Sequence, residues 1–171
     1  MNFLELAKER YAVRAFEAKP VEDEKIALIL EAAKVAPTAC NYQPQKIYVV
    51  KSEEKRKALA DITPCTFNAP VIFVVGYDND RSAKGMIYDK HDFGDTDAAI
   101  VCTHMMLEAK ELGLGSCWVG YFNEDKVRAA LGLPENVRVR DMLPVGYPAA
   151  DAVPAPMHTK YRELCDMVEE L

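Results

Sequence analysis

Along the first third of the chain, apolar residues recur at the three- and four-residue spacing of helices; after that they gather into short β-branched runs. Phe3, Leu6 and Ala7 predict the buried stripe of a first helix. Asn2 stands where its side chain can cap that helix, and Glu5 completes a capping box. A second helix is expected from about Glu22. Its acidic first turn (Glu22, Asp23, Glu24) suits the positive end of the helix dipole. Ile26, Ile29, Leu30 and Ala33 follow at helical spacing, and Pro37 closes it. Ile47–Val50 reads as a buried strand, Ser52 as the cap of a short helix through Leu59, and Val71–Val75 as the clearest strand. Residues 77–94 are polar, contain glycine, and read as a loop or lid.

The stretch Asp97–Leu112 is apolar on nearly every side, with Ala98, Ile100, Val101, Met105, Leu107 and Ala109. Such a helix is central and buried, or lies at a subunit interface. Gly113 supplies its left-handed stop. A strand over Cys117–Tyr121 follows, then a helix capped by Asn123 and ending at Gly132, then a strand region from Val137 to Tyr147 broken at Pro144. In the tail, Tyr161, Leu164, Cys165 and Val168 stand at helical spacing. No repeat or long linker interrupts the chain, so residues 1–171 read as a single domain. Alternation of helices and strands, taken alone, favours a parallel doubly wound sheet.

Composition removes several functions. A net charge of −6 over 171 residues argues against nucleic-acid binding, which needs a basic face. No run of apolar residues is long enough for a membrane span. The first residues, Met1–Glu5, lack the basic-then-apolar order of a signal peptide, so a soluble cytoplasmic protein is expected. The five cysteines, Cys40, Cys65, Cys102, Cys117 and Cys165, include no C-x-x-C pair and read as reduced core or pocket residues. His91, Asp92, Asp95, Asp97 and His104 match no recognised ligand spacing, so no metal is expected. Ser116 lies in no G-x-S-x-G context, and no G-x-G-x-x-G follows a strand.

Three separated segments remain. Arg10-Tyr11-Ala12-Val13-Arg14 offers two guanidinium groups four residues apart, suited to an anion and its paired acceptors. Read by itself, it is more simply a pair of solvated arginines. Ala36-Pro37-Thr38-Ala39-Cys40-Asn41-Tyr42-Gln43-Pro44 is a Pro-bounded polar turn, of the kind that also simply joins a helix to a strand. Gly113-Leu114-Gly115-Ser116-Cys117-Trp118-Val119-Gly120 is a Gly-rich run where a flat ligand could approach bare backbone, or a helix cap leading into a core strand.

In this order and spacing the three segments resemble the FMN-dependent nitroreductase family, over nearly the whole chain. The resemblance implies an α+β fold, a mostly antiparallel central sheet surrounded by helices, built as an intertwined homodimer with two FMN sites at the interface. The first segment is similar to the family's R-x-S-x-R/K. It places Arg10 at the FMN phosphate and Arg14 near the ribityl chain and the flavin N1/O2 edge, with Tyr11 and Ala12 between them. Ala12 stands where the family usually has a phosphate-binding Ser. The second is similar to A/S-P-S-x-x-N-x-Q-P-W, and implies that Pro37, Thr38, Ala39 and Asn41 line the flavin from the partner subunit. Gln45 replaces the usual Trp. The third is similar to G-L-G-x-x-W-x-G, and implies that the Val119 N–H donates to flavin N5, with Trp118 and Gly120 beside it. Two basic residues that close on the phosphate correspond to His158 and Lys160; His in place of Lys would make that contact depend on pH.

The implied activity is NADH- or NADPH-dependent reduction of a nitroaromatic, a quinone or a similar electron-poor acceptor, by ping-pong hydride transfer. The flavin carries the chemistry, so no side-chain nucleophile is required. Two alternatives share the resemblance: the same fold performing reductive dehalogenation or flavin fragmentation, and a non-catalytic flavin-binding redox sensor.

Overall fold

The computed structural model describes residues 2–85 and 91–171. Helix α1 (Phe3–Glu9) begins with the expected capping box between Asn2 and Glu5. Helix α2 (Asp23–Val35) is followed by a short 3₁₀ turn at Ala39–Asn41, strand β1 (Gln45–Val50) and helix α3 (Glu53–Ala60). Next come β2 (Val71–Asp78), the long helix α4 (Gly94–Glu111), the two-residue strand β3 (Gly115–Ser116), α5 (Glu124–Leu131) and β4 (Val137–Gly146). Ser52 caps α3 and Asn123 caps α5, each accepting an N–H from three residues on. Gly113 (φ +74°) and Gly132 (φ +69°) take the left-handed conformation that stops α4 and α5.

The sheet order is β1-β2-β4-β3, and every pair is antiparallel. The doubly wound parallel sheet favoured by element alternation is therefore not formed, and the α+β fold implied by the resemblance is. Alternation along β2 divides the core. Phe73, Val75 and Tyr77 face α2 and α4, where they meet Ile29, Ala33, Ala98, Val101 and Met105. Ile72 and Val74 face the other way, toward Leu59 and Val127 on the α3/α5 side. Among the described residues no helix is long and apolar enough to cross a membrane.

Several expectations are corrected. The stripe Phe3, Leu6, Ala7 is not buried within the chain; Phe3 is 71% exposed. Strand β1 is an edge strand in which only Val50 is buried. Pro144 does not break β4, which runs through it in register with Ile72 of β2. Its effect falls on the neighbouring segment instead. The Cys117 N–H donates to Pro144 O at 3.2 Å, but proline has no N–H to return the bond. The ladder therefore stops after Ser116, and Cys117–Tyr121 keeps only an isolated bridge at Val119–Met142. In the tail, helical spacing yields a single 3₁₀ turn at Leu164–Asp166. Of the loop or lid expected at 77–94, Tyr77 and Asp78 belong to β2 and Gly94 opens α4. Residues 79–85 and 91–93 connect them, with Lys84 and Asp92 bridged antiparallel; 86–90 lie outside the described residues.

Candidate functional site

The segment after α1 is stitched into the sheet by its backbone. Ala12 forms a parallel bridge with Ser116, and the Val13 N–H donates to Ser116 O at 2.9 Å. Farther on, the Glu17 N–H donates to Tyr147 O and the Ala149 N–H to Ala15 O. The side chains of Arg10 and Arg14 are left without carboxylate partners among the described residues. Arg14 is exposed, and its side chain makes a long donation to Ala12 O at 3.4 Å. Two unneutralised guanidinium groups on a fixed segment have the chemistry to take an anion.

The Gly-rich run lies against the same segment. Burial pushes the Cys117 thiol up, and the charges of Arg14 and Arg10 act against that rise, so both guanidinium groups lie within electrostatic reach of Cys117. The Trp118 indole N–H donates to Asp141 Oδ1 at 2.5 Å. Asp141 is 8% exposed; burial raises its pKa, while the indole bond and Arg140 hold it down. Val119 and Met142 exchange both backbone bonds at 2.9 Å. This corrects the expectation for Val119: its N–H points into β4 and is already taken. The next amide along the chain, that of Gly120, has no acceptor among the described residues. Gly120 is exposed, and a Cβ built on it would meet nothing within 4 Å. Open space therefore stands in front of bare backbone here. That fits a flat ring, and the two unpaired cations beside Cys117 fit an anionic tail.

The tail reaches this region too. The Tyr11 hydroxyl donates to Ala152 O at 3.2 Å, and the His158 ring meets Tyr11 edge-on, with centroids 6.0 Å apart. Lys160 is exposed, two residues farther along.

The polar turn lies elsewhere. The Ala39 N–H donates to Asp97 Oδ1 at 2.8 Å, in the first turns of α4. Arg10 and Tyr11 instead share a cavity of about 80 Å³ with Lys110, Gly113 and Ser116 at the far end of that helix. From residue 97 to residue 110 a helix rises about 20 Å. One chain thus sets Arg10, Tyr11, Ala12 and Arg14 beside Ser116 and Cys117, with His158 against Tyr11. Trp118 leads away from them: its partner Asp141 neighbours Arg140, which pairs with Asp95 in the first turn of α4, the end that also holds Ala39. Pro37, Thr38, Ala39 and Asn41 lie apart from Arg10 and Tyr11.

The acids and histidines between 91 and 104 are engaged in other ways. Asp92 takes Lys84 Nζ at 2.5 Å and the Gly94 N–H at 2.9 Å. Burial opposes ionisation there, yet these donors bring its carboxyl down to about 2. Asp95 pairs with Arg140, and His104 Nδ1 bonds Ile100 O. Asp97 and Asp141 are the residues that sequence reasoning missed as supports of the site. For Asp141 a signal existed, since a buried indole N–H demands an acceptor; nothing in the sequence said which residue supplies it.

The nitroreductase family model matches residues 7–66 and 63–147. The chain belongs to the nitroreductase family. A protein of Methanothermobacter thermautotrophicus, named as a candidate NADH dehydrogenase/NAD(P)H nitroreductase, is 31% identical over 157 residues, covering 87% of this chain and 78% of that protein. A nitroreductase family protein of Clostridium difficile 630 superposes with a TM-score of 0.92 at 37% identity, covering 99% of this chain and 98% of the other. A candidate nitroreductase of Desulfovibrio desulfuricans, solved in complex with FMN, superposes with a TM-score of 0.84 at 26% identity, covering 100% of this chain and 98% of that one.

Proposed function

We propose that this family member is an FMN-dependent NAD(P)H oxidoreductase that works as a homodimer in the cytoplasm. The observation that carries the reading is a pair of unneutralised arginines beside Cys117, in the same run that leads to open, side-chain-free backbone at Gly120. Bound FMN would supply a two-electron carrier that takes hydride from NADH or NADPH and delivers it to a nitroaromatic, a quinone or a similar electron-poor acceptor. Arg10, with His158 and Lys160 from the tail, would hold the phosphate by charge-assisted bonds. Arg14 would place a cation beside the N1/O2 edge, where charge develops on reduction. The Gly120 amide, rather than that of Val119, would donate toward N5, and the Trp118–Asp141 bond would keep that stretch of backbone in place.

Two observations favour the dimer. The polar turn at Pro37–Asn41 is held about 20 Å along α4 from the Arg10 cavity of its own chain, a placement suited to lining a flavin held by another copy. A groove of about 710 Å³, lined by Phe3, Leu6, Leu28, Val35 and Leu107, also lies open along α1, α2 and α4. Apolar side chains gathered in one open groove suit burial against another protein surface. The five cysteines are free, in keeping with a reducing compartment.

The test is an FMN titration with sedimentation of the product. One FMN per chain on a dimer supports the proposal; a monomer that takes up no FMN refutes it.

A further inference from the structure

We propose that Asp97 is a positioning residue for the flavin site, acting through the turn at residues 37–43. This rests on the proposed function, in which that turn lines the FMN held by a second copy. Cys40 (φ 53°), Asn41 (φ 54°) and Gln43 (φ 51°) all take left-handed backbone conformations, which non-glycine residues adopt at a cost. Most of the bonds that shape the turn are local. Thr38 Oγ1 accepts the Gln43 N–H at 3.0 Å, Thr38 O accepts the Asn41 N–H, and Ala39 O accepts the Tyr42 N–H. A strained loop closed only on itself would not hold a fixed place. Among the described residues, one side chain from elsewhere binds the turn: Asp97, whose Oδ1 accepts the Ala39 N–H at 2.8 Å.

Asp97 is a poor choice for stability alone. It is 2% exposed, on the face of α4 that packs against the sheet, among Ala98, Val101 and Met105. Its second oxygen, Oδ2, is buried without a hydrogen-bond partner; the only other such side-chain atom among the described residues is Gln45 Oε1, on the first residue of β1 just past the same turn. Burying an acceptor unmatched destabilises a fold. Both unmatched atoms lie where the turn meets the core, so the imperfection is concentrated where the family resemblance puts a flavin contact. Strain held in place by its surroundings is characteristic of such sites. The carboxylate orients Ala39, and through it Thr38 and Asn41, toward the opposite copy.

The test uses Asp97→Ala, Asp97→Asn and Ala39→Pro. Asn keeps an acceptor at the Oδ1 position. Proline removes the N–H from the other end of the same bond, and Thr38 (φ −132°, ψ 158°) already has the conformation that precedes proline. Hydrogen exchange of the FMN-free protein reads the clamp, and the FMN dissociation constant with the visible spectrum of bound FMN reads its consequence. In Asp97→Ala the Ala39 amide should exchange at least about tenfold faster, and FMN should bind at least about tenfold more weakly with an altered spectrum, as for a lost bond to a charged group. Ala39→Pro should weaken FMN equally, the double variant should add nothing, and Asp97→Asn should stay within about threefold of wild type. Wild-type affinity in Asp97→Ala, or additive losses, would overturn the proposal. If Asp97→Ala does not fold, Ala39→Pro carries the same comparison. Failure of the wild type to take up FMN would refute the proposed function instead, and exchange at Ala39 would still decide whether Asp97 fixes the turn.

Discussion

Gly120→Ala separates binding from folding more cleanly than any other single change in this chain. A Cβ at position 120 meets no atom within 4 Å, and the backbone there is not left-handed, so the folded protein accepts alanine without a clash. Removing a glycine also narrows the unfolded ensemble, which stabilises a compatible site by about 0.4–1 kcal/mol. The variant without cofactor should therefore unfold at the same or a slightly higher urea concentration. Flavin binding should move the other way. A ring resting about 3.5 Å from bare backbone would have to withdraw by roughly 1.5 Å, one carbon–carbon bond, to clear the methyl group. Crowding of that kind costs about 1–3 kcal/mol, so FMN should bind roughly five- to 150-fold more weakly. Fluorescence titration of FMN into matched wild-type and variant protein measures this. Unchanged affinity together with unchanged stability would mean that the ring does not lie against Gly120, and the proposed pose would fall.

Three further outcomes follow from the same geometry. Arg14→Ala should weaken FMN binding by about 1.5–3 kcal/mol, the value of a charged hydrogen bond, with little change in urea midpoint, because Arg14 is exposed; a lower midpoint with normal FMN affinity would contradict this. Trp118→Phe leaves the buried Asp141 without its indole donor and should cost about 1.5–3 kcal/mol of stability, partly recovered when Asp141→Asn is added; a loss no larger than that of an ordinary surface substitution would show that the bond contributes nothing. Asp92 has a depressed carboxyl, so its pairing with Lys84 stabilises the fold above the ordinary value of 3.8 and is lost as pH falls toward about 2. Lys84→Met should make acid unfolding shallower in that window, and superimposable curves would refute the assignment.

Caps and stops were legible because they are local. Asn2 with Glu5, Ser52, Asn123, Gly113 and Gly132 each act within one turn, and each stands where its residue type suggested. The sheet was less legible, because strand direction depends on pairing between β2 and β4, which lie far apart in the chain. Alternation alone pointed to a parallel arrangement, and only the resemblance pointed to the antiparallel one. The failed strand at Cys117–Tyr121 has a long-range cause, since the missing donor belongs to Pro144 on another strand. Val119 and Gly120 show the same limit at the site itself. The motif singled out a stretch of chain, but which of its amides faces outward depends on register with Met142. Phe3 read as a core residue because periodicity marks an apolar face without saying what covers it.

The most direct test of the account is anaerobic. Protein loaded with FMN should lose its yellow absorbance on addition of NADH or NADPH, and regain it when a nitroaromatic or quinone is added without oxygen. Bleaching and recovery, with neither step requiring any other protein, is the predicted result. A flavin that binds but stays oxidised in the presence of both nucleotides would contradict the account and mark the chain as a binding protein rather than an oxidoreductase.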